Sequence, residues 1–122
     1  MKKRAISLIR IEHINGYGLF SEDENKQVKL YESIYHKQIM ERHSRFPTPF
    51  MDIKEFTKNH YCAFRNLNRF KDWFNKFELE DLYKVGFRVY SIKVKDYLSG
   101  NYQYGFKKED IISKNEINLL TL

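Results

Sequence analysis

The 122-residue sequence predicts one α+β domain, with a mixed or antiparallel sheet of about four strands and two to three helices. Three observations lead there. The length fits a single hydrophobic core, since domains usually span roughly 50–200 residues, so residues 1–122 read as one unit. Apolar side chains are plentiful, 10 Phe, 9 Tyr and one Trp among them, while Gly (5) and Pro (2) are few, which excludes a disordered or collagen-like chain. Strand-like and helix-like stretches also follow one another without repeats, in the order strand, helix, loop, strand, helix, strand, strand.

Residues 5–13 are rich in β-branched and apolar side chains and read as a mostly buried strand. Gly16 and Gly18 then permit a tight turn. Between residues 25 and 40, Val28, Tyr31, Ile34, Tyr35 and Ile39 recur at helical spacing. Residues 41–59 hold Pro47 and Pro49 without a clean period and read as a long ordered loop, a kind of segment that often carries function. Residues 60–64 form a short strand, after which Asn66 can cap a helix whose apolar face is Leu67, Phe70, Trp73 or Phe74, and Phe77. A second helical segment, residues 78–85, ends at Gly86. Residues 87–95 are the clearest strand, with Tyr90, Ile92 and Val94 alternating with Ser91, Lys93 and Lys95. After a turn at residues 99–101 comes a strand with Tyr102, Tyr104 and Phe106 on one face. Ser113 and Glu116 have capping-box spacing, which predicts a short C-terminal helix through Leu119 and Leu120.

The charge balance, 22 Lys+Arg against 16 Asp+Glu, leaves a net +6 and favours acidic partners such as nucleic acid or an acidic protein face. Most of these cations are dispersed among acids, and only the run Lys2, Lys3 and Arg4 is uncompensated. The lone Cys62 excludes an internal disulfide or a Cys-rich zinc site. No run approaches the roughly 18 apolar residues that span a bilayer, and Ser7 and Arg10 interrupt the first apolar stretch, so the expectation is a soluble, cytosolic domain that uses no metal.

Two groups of candidate residues emerge. Arg42, His43 and Arg45 stand beside Pro47 and Pro49, where a stiffened loop presents cations cheaply and arginine can grip phosphate bidentately. With Lys2, Lys3 and Arg4 they form the expected binding set. His13 ends a buried strand just before the glycine turn, where it either faces a pocket or is held by a loop carbonyl. Arg10, three residues earlier, falls on the opposite face and shares its own face with Glu12, its natural ion-pair partner. Cys62 and the aromatic residues 64–77 read as core.

Three segments together resemble the ADP-ribosyltransferase superfamily, whose split β-core cradles NAD. Residues 8–13 are similar to its opening strand, which carries Arg or His against the cofactor. Residues 60–67, leading to Trp73, look like its second strand running into a helix, and residues 102–106 look like its closing strand. The resemblance implies that Arg10 or His13 holds NAD, that Tyr61 stacks on nicotinamide and that Gln103 takes the acidic position; His13, Tyr61 and Gln103 would then be the catalytic set. Gln103 departs from the family, because an amide is no base. The overall texture also resembles small phage accessory proteins, anti-CRISPR inhibitors among them. The favoured expectation is therefore a basic phage protein that needs no cofactor and blocks a host nuclease or protein–RNA complex by occupancy, touching nucleic acid directly. An NAD-using enzyme is the alternative.

Overall fold

A computed structural model describes residues 4–16, 18–19 and 30–118. Within them β1 (Ile6–His13) is followed by α1 (His36–His43), α2 (Pro49–Asp52), β2 (His60–Ala63), α3 (Leu67–Lys71) and α4 (Lys76–Lys84). Then come β3 (Phe87–Val94), β4 (Leu98–Ser99), β5 (Tyr104–Lys107), a 3-10 turn (Lys108–Asp110) and β6 (Ile111–Glu116). The α+β class is as expected, but the described strands number six, in two antiparallel three-stranded sheets ordered β1-β3-β6 and β2-β5-β4.

The first sheet is built on β1 against β3, paired without interruption from Ile6↔Val94 to His13↔Phe87. Both faces of this pair are buried. One packs Ile9, Ile11, Phe87 and Val89 against Phe70, Leu79 and Leu82. The other packs Leu8, Ile92 and Val94 against Ala63 and Phe106 of the second sheet. Burial on two sides explains why residues 5–13 form an almost continuous apolar run instead of alternating.

The sheets touch through one antiparallel bridge, Ile9↔Phe64, with backbone N–H to O distances of 2.8 and 2.7 Å. Beyond it the two edge strands part, and the space between them opens towards the second half of β1.

The helices start where local chemistry sets them. The Asn66 side chain accepts from the Arg69 N–H, and Asn75 with Glu78 forms a full capping box at the head of α4. That helix stops at Gly86, whose φ of +104° suits glycine. A Cβ there would also lie 2.3 Å from His13 Nε2, so the turn and the end of β1 require the same small residue.

Four expectations are revised. Helix α1 extends to His43, and Thr48 caps the short α2 with Pro49 in its first turn, so two helical pieces, 41–43 and 49–52, interrupt the expected long loop over residues 41–59. Residues 25–29 of the predicted helix lie outside the described residues. Residues 113–116 belong to a strand: the open edge of β3 takes up β6 from Val94↔Ile111 to Tyr90↔Glu116, and that ladder outweighs a local capping signal. Leu119 and Leu120 lie outside the described residues. Tyr102 lies in the turn before β5, and Phe77 is 67% exposed instead of joining the core.

Two substitutions test this frame by urea denaturation. Asn75→Ala should cost about 1 kcal/mol, the usual value of an N-cap. Gly86→Ala should cost more than that, since backbone strain adds to the clash with His13; an equal or smaller loss would contradict the packing described.

Candidate functional site

Where the sheets part, the backbone of β2 needs new partners, and β1 supplies one from a side chain. Arg10 Nη1 donates to the Cys62 carbonyl at 2.6 Å, while Arg10 Nε donates to Glu12 Oε2 at 2.9 Å. Arg10 and Glu12 are both buried, and Lys114 of β6 completes the chain by pairing with the other Glu12 oxygen while lying 4.3 Å from the Tyr90 ring centre. The expected Arg10–Glu12 pair is present. Burial pushes the Arg10 guanidinium down from its ordinary value, against the opposing influence of Cys62 and Tyr61. Burial, with the nearby Arg10 charge, also lowers the Lys114 ammonium. The Tyr61 ring centre lies 5.1 Å from Arg10 Cζ.

His13 faces the other way. Its Nδ1 accepts from the Asn15 N–H at 3.2 Å, Nε2 lies 3.1 Å from the Val85 carbonyl, and the ring meets Phe87 edge-on at 5.2 Å. This is the histidine held by a loop carbonyl, and it does not line the cleft.

The cleft itself measures about 770 Å³. Its walls bring together Arg10, Tyr61, His43 and Gln103 from the predicted candidates, with Cys62 and His60 on the same rim. Phe46 stacks on Trp73 at 4.3 Å and 21°, and Phe50 and Phe56 meet edge-to-face at 4.9 Å, so the wall from residue 46 to residue 56 is largely aromatic. No Asp or Glu is among the described residues that line it.

One carboxylate outside the cleft fixes this wall. Asp52, at the end of α2, accepts from the backbone N–H groups of Asn101 (2.8 Å), Tyr102 (3.0 Å) and Gln103 (2.8 Å). A Cβ on Gly100 would lie 2.5 Å from the same carboxylate. The Gln103 side chain then reaches back, its Nε2 donating to the Pro47 carbonyl at 3.4 Å. The proline-containing segment and the turn before β5 are thereby tied together.

The predicted basic group separates in space. Arg42 turns inward, donating to Glu78 Oε1 at 2.5 Å and to the Trp73 carbonyl at 3.0 Å. Glu78 is fully enclosed and also accepts from Gln38 and from the Asn75 N–H. Burial pushes the Glu78 carboxyl up, but the bonds from Arg42, Asn75 and Gln38 outweigh it and hold the group below its ordinary value. His43 sits edge-on to Trp73 at 4.6 Å with Nε2 3.2 Å from the Trp73 carbonyl. Burial, aided by the Arg42 charge, lowers it to about 4 against the opposing pull of that carbonyl and of Glu78. Arg45 is exposed and pairs with Glu41 one turn earlier, and Arg4 is exposed at the start of β1. Lys2 and Lys3 lie outside the described residues.

Chemically the cleft offers aromatic surface and cationic donors. The amide of Gln103 supplies no base, and His43 is neutral near pH 7 yet engaged with Trp73. Among the described residues no cluster of three His, Cys, Asp or Glu side chains is placed to hold a metal ion, and no helix is long and apolar enough to cross a membrane. Reading the sequence missed Asp52, Gly18 and Lys58. Asp52 left one trace, its position three residues after Pro49, within a segment already marked by its prolines.

The sequence model described as Bacteriophage T4 Y00F protein matches residues 1–120. No curated protein and no solved structure matches the chain.

Two measurements probe this geometry. Asp52→Ala removes the acceptor for three N–H groups and should lower stability by about 2 kcal/mol, the scale of a lost bond to a charged group; an unchanged urea midpoint would refute the tie. Acid should weaken the fold in two steps. His43 takes up a proton more readily unfolded than folded, so stability should fall as pH drops from about 6.5 towards 4. Glu78 titrates lower in the fold than in the free chain, so its contribution should disappear only at still lower pH. Melting temperature against pH, with His43→Gln flattening the first step, checks both.

Proposed function

The chain belongs to the Bacteriophage T4 Y00F protein family, and from that premise we propose a phage accessory protein that works by occupancy, docking on a host nuclease or protein–RNA complex through the cleft between its sheets. The observation that carries this reading is the make-up of the cleft: aromatic walls, the cations Arg10 and Lys58, and no carboxylate among the described lining residues. Such a surface attracts an anionic, planar partner. The exposed Arg45 and Arg4, with the net +6, supply long-range attraction. Blocking by contact asks for no general base, which agrees with Gln103 where the resembled transferases carry an acid. The role is that of a counter-defence inhibitor of the anti-CRISPR kind, acting in the host cytosol.

A second reading keeps the cleft and changes its ligand to NAD. It is favoured by one observation: Arg10 of β1, Tyr61 of β2 and Gln103 just before β5 line one cleft beside two small sheets. In that case Arg10 and Tyr61 hold the dinucleotide, and transfer of ADP-ribose requires a base that Gln103 does not provide.

The two separate cleanly. Tagged protein incubated with host extract should retain a defined protein–nucleic acid complex and inhibit its nuclease activity. Arg45→Glu should slow association at low salt, with the difference shrinking as ionic strength rises. Extract activity that is unaffected by the protein would defeat the occupancy reading. NAD should leave the melting temperature unchanged; a clear rise, with labelled ADP-ribose appearing on protein or nucleic acid, would establish the enzyme instead.

A further inference from the structure

Resting on the occupancy reading, we infer that the cleft's occupant is an unpaired nucleotide, with its phosphate on Arg10 and its base against the aromatic wall. The argument begins with one nitrogen. Arg10 is 6% exposed, and its Nε and Nη1 are engaged by Glu12 and the Cys62 carbonyl. Its Nη2 has no hydrogen-bond partner among the described residues, and Arg10 lines the cleft. A Cβ on Gly18 would lie 3.0 Å from Nη2, so glycine places no side chain of its own over this cationic donor, and both residues line the cleft. A buried guanidinium with one open N–H edge is matched by an anionic oxygen, and the bond is strong because the donor is charged and largely desolvated.

The remaining surface fits the rest of a nucleotide. Phe50 and Tyr61, 54% and 36% exposed, offer ring area beside the Phe46–Trp73 stack. Stacking of this kind takes any base. Because Gln103 uses its Nε2 on the Pro47 carbonyl, its Oε1 is left as an acceptor for an exocyclic amine. Lys58 on the same lining adds a second cation for a neighbouring phosphate. A volume of about 770 Å³ accommodates a nucleotide with space for part of the next one. Bases in a duplex are stacked inside it and cannot enter, so the ligand is unpaired. The chemistry recognised is a nucleoside monophosphate, whether free or as one unit of a single strand.

Trp73, the one tryptophan of the chain, lines the cleft and reports occupancy by fluorescence. The full-length protein would be titrated with AMP and CMP, with the nucleosides lacking phosphate, with an eight-nucleotide single strand, with the matching duplex and with an acidic peptide containing tyrosine. Nucleoside monophosphates and the single strand should change the emission, with the strand tighter if polymer is the natural source and equal if free nucleotide is. Nucleosides should bind about tenfold more weakly, the scale of one charge-assisted bond. Gly18→Ala places a methyl group against Nη2 without demanding a left-handed backbone, and it should weaken nucleotide binding about tenfold in protein whose circular dichroism shows it folded. Lys58→Glu is the second variant and should weaken the strand more than the mononucleotide. No response to nucleotide or single strand at millimolar concentration, a response to duplex or acidic peptide instead, or wild-type affinity in both variants would overturn the inference. Retained inhibition of host nuclease with no nucleotide response would remove this inference alone; nucleotide binding without any effect on host extract would remove the occupancy reading alone.

Discussion

A cation inside a protein has to be answered by hydrogen bonds and opposite charge, and Arg10 organises much of this molecule around that requirement. It stands on the strand shared by both apolar clusters, at the point where the two sheets separate. Glu12 answers its charge, Lys114 answers Glu12 from the far strand of the same sheet, and the Cys62 carbonyl occupies another of its nitrogens. The chain of charges crosses β1, β3 and β6, whereas the bond to Cys62 reaches the second sheet. One side chain therefore closes a backbone gap, links the sheets and borders the cleft.

The second constraint is the aromatic and charged assembly around Trp73. Arg42, His43, Glu78 and Asn75 converge on the loop that leads into α4, with Glu78 both capping its helix and neutralising Arg42. Burying an acid completely is tolerable because all its bonds come from donors already fixed in place. This arrangement sets the back wall of the cleft, and it binds α1 to α4 across 36 residues of sequence.

How much of this was readable beforehand varied with range. Short-range chemistry was legible: Asn66 as a cap, Gly86 as a helix stop, the alternation of Ile92 and Val94, and the Arg10–Glu12 pair two residues apart. Properties that depend on distant partners were not. Residues 113–116 satisfy the spacing of a capping box and equally the needs of an edge strand, and only the exposed edge of β3 decides between them. Arg42 looked like a surface cation because the acid that claims it lies far along the chain. For the site, Arg10, Tyr61 and Gln103 were identified from a resemblance and do line one cleft, whereas His13 packs behind β1. The close approach of Gly18, which brings no side chain of its own, to Arg10 is a feature that composition and spacing do not signal.

The Asp52 carboxylate gives the cleft an unusual mechanical character. Three amides of one turn converge on a single acidic group belonging to another segment, so the two segments are fastened to each other. Evolution acting on residues 100–102, which do not line the cleft, would thus retune the opening from outside it, altering selectivity through positions that never meet the bound molecule.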